Sequence, residues 1–215
     1  MANRPEGSLA VVGGSAAASA RASDRLSATP ASATDLRDRF ARVRSLTLEL
    51  AANLSDADAS LQSMPDASPS KWHLAHTTWF FETFVLRDFV PGYRPYDARF
   101  AFLYNSYYEA EGARIARPSR GLLSRPSLDE VRAYRAHVDA ALDDLPGPAR
   151  ELIALGCHHE QQHQELLLTD LLHLFAQNPL APAVWPAGEH RAGAAENSLS
   201  VAASVRAQRA FALVR

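Results

Sequence analysis

Apolar residues recur at helical spacing in several segments of the chain, and this pattern predicts long amphipathic helices. The first helix is expected to begin near Thr34, because apolar side chains then follow every three or four residues: Leu36, Phe40, Val43, Leu46 and Leu50. A second helix is predicted from Ser68, as N-cap, and Pro69, at the first helical position, to about Val90. Its many aromatic residues indicate burial on most sides.

Two more helices follow in the second half of the chain. Ser127 and Glu130 have the spacing of a capping box, which predicts the start of the third helix. The fourth is predicted over about residues 149–176, before a stop signal at 178–179, Asn-Pro. Four long helices without a strand pattern or an internal repeat indicate an all-α fold, a four-helix bundle.

The composition of the chain changes at both ends of this region. Residues 1–33 are rich in Ala, Ser and Gly, which predicts a disordered leader. Residues 187–215 are dominated by Ala and Arg, which predicts an irregular low-complexity tail. The helical domain is therefore placed at residues 34–186. Within it, residues 93–126 form a long connection whose many aromatic residues argue against disorder.

Charge and cysteine content narrow the classes of protein. A net charge of −2 over 215 residues, with a pI of about 6.4, gives no indication of a nucleic-acid or membrane-surface partner. No apolar run approaches the roughly 18 residues that a membrane span requires. The single cysteine, Cys157, excludes an internal disulfide and fits a reducing compartment. A cytoplasmic protein is predicted.

Two histidines, His159 and His163, lie four residues apart on the predicted fourth helix and therefore share one face. Leu152 and Leu166 lie on the same stripe and are expected to face the core, which would turn both imidazoles towards the bundle interior. Burying polar rings costs free energy unless a partner compensates. A bound metal ion is one such partner, and hydrogen bonds within the core are the alternative.

A metal site needs a third ligand from another helix. The second helix offers His73 and His76, of which one is expected to be a ligand and the other a surface or cap residue; His76 lies deeper in the aromatic stretch. The remaining histidines are expected to be solvent-facing or hydrogen-bonded: His137, His158, His173 and His190.

The segment from His159 to His163 also matches the H-E-x-x-H pattern of zinc proteases, in which the glutamate, here Glu160, is the general base. The further histidine that some of these enzymes carry downstream is absent, since residues 164–174 are rich in leucine. Glu165 lies about 200° around the helix from His163, so it is expected to support a ligand or pack between helices.

Three segments in order carry a family resemblance: residues 68–82 (SPSKWHLAHTTWFFE), residues 102–109 (FLYNSYYE) and residues 159–165 (HEQQHQE). They resemble the first metal-ligand helix, the substrate-side loop and the H-x-x-x-H-x-E motif of the hercynine oxygenases. These are the non-haem iron sulfoxide synthases of ergothioneine biosynthesis. The resemblance covers about residues 34–186 and implies a DinB-like four-helix domain.

The resemblance implies a role for individual residues. His76, His159 and His163 would bind iron(II) and leave positions for dioxygen and a thiolate. Gln162 would contact the imidazole of hercynine (N-trimethylhistidine), the alternative being an ordinary surface amide. Arg120 is a candidate for the carboxylate of the thiol co-substrate, cysteine or γ-glutamylcysteine, the alternative being a solvated loop arginine.

The chain also departs from the family. Hercynine oxygenases carry a second domain, similar to formylglycine-generating enzymes, which supplies a catalytic tyrosine, so no catalytic residue is expected in this chain. The expectation is a truncated or frameshifted product that is incomplete as an enzyme. Two alternatives stay open: a stand-alone DinB-like thiol transferase with zinc or nickel, and a non-catalytic metal-binding bundle.

Overall fold

Helices supply all the regular secondary structure in the described part of the chain, residues 33–144 and 146–185 of a computed structural model. The α-helices are α1 (Ala33–Leu50), α2 (Asp56–Ser60), α3 (Ser70–Phe81), α4 (Arg87–Phe89), α5 (Phe100–Tyr104), α6 (Leu128–Ala141) and α7 (Arg150–Ala176). A π-helical turn, Glu82–Leu86, joins α3 to α4, and 3₁₀ turns occur at Glu109–Glu111, Arg117–Leu122 and Gly147–Ala149. The predicted all-α class is confirmed.

The four long helices of the bundle are α1, α3 with its π-helical continuation, α6 and α7. Helix α7 packs against both α1 and α3, and α3 also packs against α6. The capping box at Ser127 forms as predicted, with the Glu130 carboxylate accepting from the Ser127 backbone. Within the described residues no helix is long and apolar enough to cross a bilayer.

Two predictions concern residues outside the described ranges. The predicted leader, residues 1–33, lies outside them apart from Ala33, which already belongs to α1. The predicted tail, residues 187–215, lies outside them entirely.

Helix α3 is the central element, since every residue from Ser70 to Phe81 is buried, as its aromatic content predicted. Its predicted start is wrong by one position. Pro69 is the N-cap residue, and its carbonyl accepts from the backbone of Trp72. The backbone N–H of Ser68 instead donates to Asp170 of α7 at 2.8 Å, and both residues line a pocket between α3 and α7.

The long connection between α4 and α6 is ordered, in agreement with its aromatic content. A buried carboxylate holds its beginning in place: Glu82 accepts from the Tyr93 hydroxyl at 2.8 Å and from the Tyr96 backbone at 2.8 Å. The Tyr134 hydroxyl of α6 donates to the same carboxylate at 2.5 Å. These three donors compensate for the burial of Glu82 and connect α3, α6 and the connection.

Helix α1 buries charge on a face that was predicted to be apolar. Leu46 and Leu50 are only half-buried, whereas Arg44 and Thr47 are 3% exposed each. The buried carboxylate of Glu160 on α7 explains this, because it accepts hydrogen bonds from Arg44 and Thr47 of α1.

A buried network of ion pairs joins α1, α6 and α7 around Glu160, which is 0% exposed. Arg44 donates to Glu160 Oε2 at 2.9 Å and to Asp139 at 2.6 Å. Arg135 and the Thr47 hydroxyl donate to the other Glu160 oxygen. The network thus contains two arginines and two carboxylates, those of Glu160 and Asp139, so its formal charges sum to zero. Burial opposes ionisation of Glu160, but Arg135 and Arg44 outweigh it and hold the pKa of its carboxyl below the ordinary value.

Helices α3 and α7 approach closely at Gly156. A Cβ atom added there would lie 2.5 Å from Phe81 Cε1 and 3.0 Å from Phe80 Cε1. Only glycine therefore allows α7 to lie this close to the aromatic side chains of α3.

We expect Gly156→Ala to lower the free energy of unfolding by about 1–2 kcal/mol. Overpacking a core costs about 1–3 kcal/mol, and the better helix propensity of alanine returns at most about 1 kcal/mol. Chemical denaturation measures the change. Gly147→Ala is the matched control, because an added Cβ there meets no atom within 4 Å. Equal stability of the two variants would contradict the close approach.

Candidate metal centre

Three histidines from two helices converge at the α3–α7 contact: His76 of α3 with His159 and His163 of α7. One ring nitrogen of each lies within 4.8 Å of the other two, a range that a single ion can bridge. The ring centroids are 4.6–5.0 Å apart. His76 is 2% exposed, and the other two are half-buried. The predicted set of candidate ligands is thus brought together.

The nitrogen atoms of these rings fit a metal ion. His76 Nδ1 donates to the Tyr104 carbonyl at 2.6 Å, which leaves the Nε2 lone pair free. His159 Nδ1 is buried without a hydrogen-bond partner among the described residues. Buried polar atoms without a partner are rare, and a metal ion bound at this cluster would compensate for such burial.

Burial keeps all three rings neutral. It lowers the pKa of His76 well below the ordinary value, and that of His159 to about 4, against the opposing effect of the Glu160 carboxylate. Burial also lowers the pKa of His163, and the neighbouring His73 adds to the effect. Neutral imidazole is the form that binds metals, so the three rings do not need to lose a proton first.

The three histidines line a pocket of about 470 Å³. Gln162 is exposed and lines the same pocket one residue before His163. Its amide is therefore available to a ligand in the pocket, while its predicted substrate contact stays a prediction. Other lining residues are Trp72, Ser106, Tyr107, Tyr108, Arg117, Arg120, Leu166 and Asp170.

Arg120 is buried in the pocket wall, at 3% exposure, so the alternative of a solvated loop arginine is wrong. Its guanidinium lies 3.4 Å from the centroid of the Trp72 ring and donates to the hydroxyls of Ser68, at 2.9 Å, and Ser106, at 3.2 Å. Its Nε has no partner among the described residues. Burial, with a contribution from Arg117, lowers its pKa to about 10. A buried cation with neutral hydroxyl partners favours an anionic ligand.

His73 is part of the site, so its expected place at the surface or at a cap is wrong. It is buried, with Nδ1 2.9 Å from His163 Nδ1 and Nε2 3.0 Å from Asp170 Oδ2. Asp170 also accepts the backbone N–H of Ser68. The available sequence signal was the spacing: His73 precedes His76 by three residues, and Asp170 follows His163 by seven.

The acidic residues of the motif lie away from the pocket. Glu160 is held in the ion-pair network with Arg44 and Arg135, so it is not placed to act as the general base of a zinc protease. Glu165 is exposed, so the prediction that it packs or supports a ligand is wrong. Leu166, predicted to face the core, is 41% exposed and lines the pocket.

Three other histidines of the described residues lie outside the site, as expected. His158 contacts Arg39 at 2.8 Å, His173 contacts the Ser63 hydroxyl at 2.7 Å, and His137 is exposed. His190 lies outside the described residues.

The fold and the site define a class, a four-helix bundle with a candidate three-histidine metal centre between two helices. Residues 39–167 match the DinB superfamily, and the chain belongs to that superfamily. It is 34% identical over 173 residues to the hercynine oxygenase of Mycolicibacterium smegmatis. The aligned region covers 77% of this chain and 38% of that protein. It is also 34% identical over 151 residues to the hercynine oxygenase of Mycobacterium tuberculosis, covering 67% of this chain and 33% of that protein.

These comparisons confirm the resemblance inferred from the motifs. The chain is a DinB-like domain similar to that of the hercynine oxygenases, and it spans less than two fifths of the length of these two relatives.

Proposed function

We propose that this domain is the iron(II)-binding part of a hercynine oxygenase. Such an enzyme joins hercynine to a cysteine-type thiol, with carbon–sulfur bond formation and sulfoxidation, in ergothioneine biosynthesis. The observation that carries the proposal is the cluster of neutral His76, His159 and His163 facing a pocket that Gln162 and Arg120 also line. The names of the two relatives support it.

The residues that line the site have different proposed roles. Three imidazoles would hold the ion, and iron(II), when bound, would supply the activation of dioxygen beside a thiolate. Gln162 offers its amide to the imidazole of hercynine from the turn that also carries His163. Because both residues lie on one rigid helix, their spacing to each other is set before the substrate arrives.

Arg120 is proposed to bind the carboxylate of the thiol co-substrate. Its charge is buried beside hydroxyl groups, and its neighbours Arg117 and Arg114 are also positive. An incoming carboxylate would compensate this charge, and it would gain charge-assisted hydrogen bonds. Cysteine and γ-glutamylcysteine both carry such a group.

The test is binding of hercynine to the iron(II)-loaded protein without oxygen, measured by calorimetry. Gln162→Leu is expected to weaken hercynine binding about 2–10-fold, the effect of one lost hydrogen bond. Gln161→Leu is the matched control, since this exposed amide lies 3.4 Å from Arg39. Tightly held zinc with no hercynine binding would contradict the proposal and favour a thiol transferase.

A second arm of the same titration addresses Arg120. Cysteine is expected to bind about 10–100-fold more tightly than cysteamine, which lacks the carboxylate. In Arg120→Met the two thiols are expected to bind alike, whereas Arg125→Met, an exposed control, keeps the difference. An unchanged preference for cysteine in Arg120→Met would refute this role.

A further inference from the structure

Hydrogen-bond distances connect His163, through His73, to the carboxylate of Asp170, and all three residues line the same pocket. His163 Nδ1 lies 2.9 Å from His73 Nδ1, and His73 Nε2 lies 3.0 Å from Asp170 Oδ2. The same carboxylate oxygen accepts the Ser68 backbone N–H at 2.8 Å. His73 itself is 3% exposed, so water does not replace these partners.

The positions of the protons follow from these partners. Asp170 Oδ2 already accepts the Ser68 N–H, and a carboxylate oxygen that accepts one hydrogen bond accepts a second, so His73 Nε2 carries a proton and donates it to Asp170. Burial lowers the pKa of His73, so its imidazole is neutral and has a single N–H, and its Nδ1 must be the acceptor. The proton between the two rings therefore belongs to His163 Nδ1, and the lone pair of His163 is at Nε2.

We propose that His73 and Asp170 are positioning residues, which hold His163 in the tautomer and orientation that present Nε2 to the metal. This inference rests on the three-histidine metal site proposed above. The Tyr104 carbonyl has the same relation to His76, since it accepts from Nδ1 and leaves Nε2 free. Two of the three candidate ligands, His76 and His163, thus each have a hydrogen-bond partner at Nδ1.

In the proposed tautomers both ring nitrogens of His73 have partners, which argues against His73 as an alternative ligand. Its Nδ1 lone pair is used by His163 and its Nε2 proton by Asp170, so no atom of the ring is left for an ion. The pair spans two rigid elements, with His73 on α3 and Asp170 on α7. Partners of this kind typically change metal affinity by about 10–100-fold when they are removed.

The first test reads the tautomers directly in the metal-free protein. Long-range proton–nitrogen correlation spectra of ¹⁵N-histidine-labelled protein at neutral pH are expected to show His163 protonated at Nδ1 and His73 protonated at Nε2. In Asp170→Ala, His73 loses its acceptor and the two rings are expected to populate mixed tautomers. Protonation of His163 at Nε2 in the wild-type protein would overturn the proposal.

The second test is cobalt(II) titration followed by visible absorption. His73→Phe is expected to weaken cobalt binding about 10–100-fold. His73→Gln is expected to restore most of the affinity, because its amide offers one acceptor and one donor in place of the ring nitrogens. His173→Phe, which removes a half-buried histidine hydrogen-bonded to Ser63, is the control and should bind as the wild type does.

The outcomes separate the two proposals. Wild-type protein that binds no cobalt overturns both the metal site and the positioning pair. Stoichiometric wild-type binding with equal affinity in His73→Phe overturns the positioning pair and leaves the metal site standing. Equal weakening in His73→Phe and His73→Gln also overturns it, since loss of packing alone would then explain the effect.

Discussion

Replacing His159 with alanine is expected to abolish stoichiometric metal binding. The variant keeps His76 and His163, but two imidazoles do not complete a site that needs three protein ligands. The described part of the chain offers no other cluster of three ligating side chains to take over. Metal content per chain, measured after anaerobic loading with iron(II) and removal of free metal, gives the result.

The neighbouring histidine supplies the control for this experiment. His158 precedes His159 on α7 but is exposed and contacts Arg39, so His158→Ala should keep its metal. Unchanged metal content in His159→Ala would refute the site assignment. Circular dichroism of both variants shows whether α7 remains helical. Loss of one metal ligand alone should leave the helical signal unchanged.

The pairing of His159 with His163 could be predicted because it is local. Spacing along a helix places residues four apart on one face whatever the rest of the chain does. The choice between His73 and His76 was not local, since residues three apart also share a face. Only the partners decide it: the Tyr104 carbonyl orients His76, whereas His163 and Asp170 occupy His73.

The surroundings of Leu166 and Ser68 are not local either. Periodicity gives the angle between side chains on α7, but it does not say which faces neighbouring helices cover. The apolar stripe of α7 predicts a core position for Leu166, yet Leu166 lines the pocket. Ser68 has the residue type of an N-cap, but its N–H and hydroxyl contact Asp170 and Arg120 instead.

Two adjacent residues of α7 therefore lie in different environments. His159 lies at the pocket, and Glu160 lies in the buried ion-pair network with α1 and α6. Glu160 forms ion pairs with Arg44 of α1 and Arg135 of α6, so this side of α7 faces those two helices. With α7 in that orientation, His159 and His163 lie next to His76 of α3.

Glu160→Gln is expected to lower the free energy of unfolding by about 3–5 kcal/mol, the usual effect of removing one partner of a buried ion pair. The variant keeps the size of the side chain and removes its charge, so Arg44 and Arg135 are left buried with Asp139 as the remaining carboxylate of the network. Chemical denaturation at neutral pH measures the loss. Glu165→Gln, exposed on the same helix, should change stability by no more than about 0.5 kcal/mol.

The pH dependence of this difference identifies its electrostatic origin. The arginines hold the pKa of Glu160 below its ordinary value of 4.5 in the folded protein. Its contribution to stability is therefore complete above that value and is lost as the pH falls through the lower, folded-state pKa. The gap in unfolding free energy between the wild type and Glu160→Gln should be constant above pH 4.5 and narrow below it. A gap that keeps its full size in acid would mean that the lost stability comes from packing and not from the charge of Glu160.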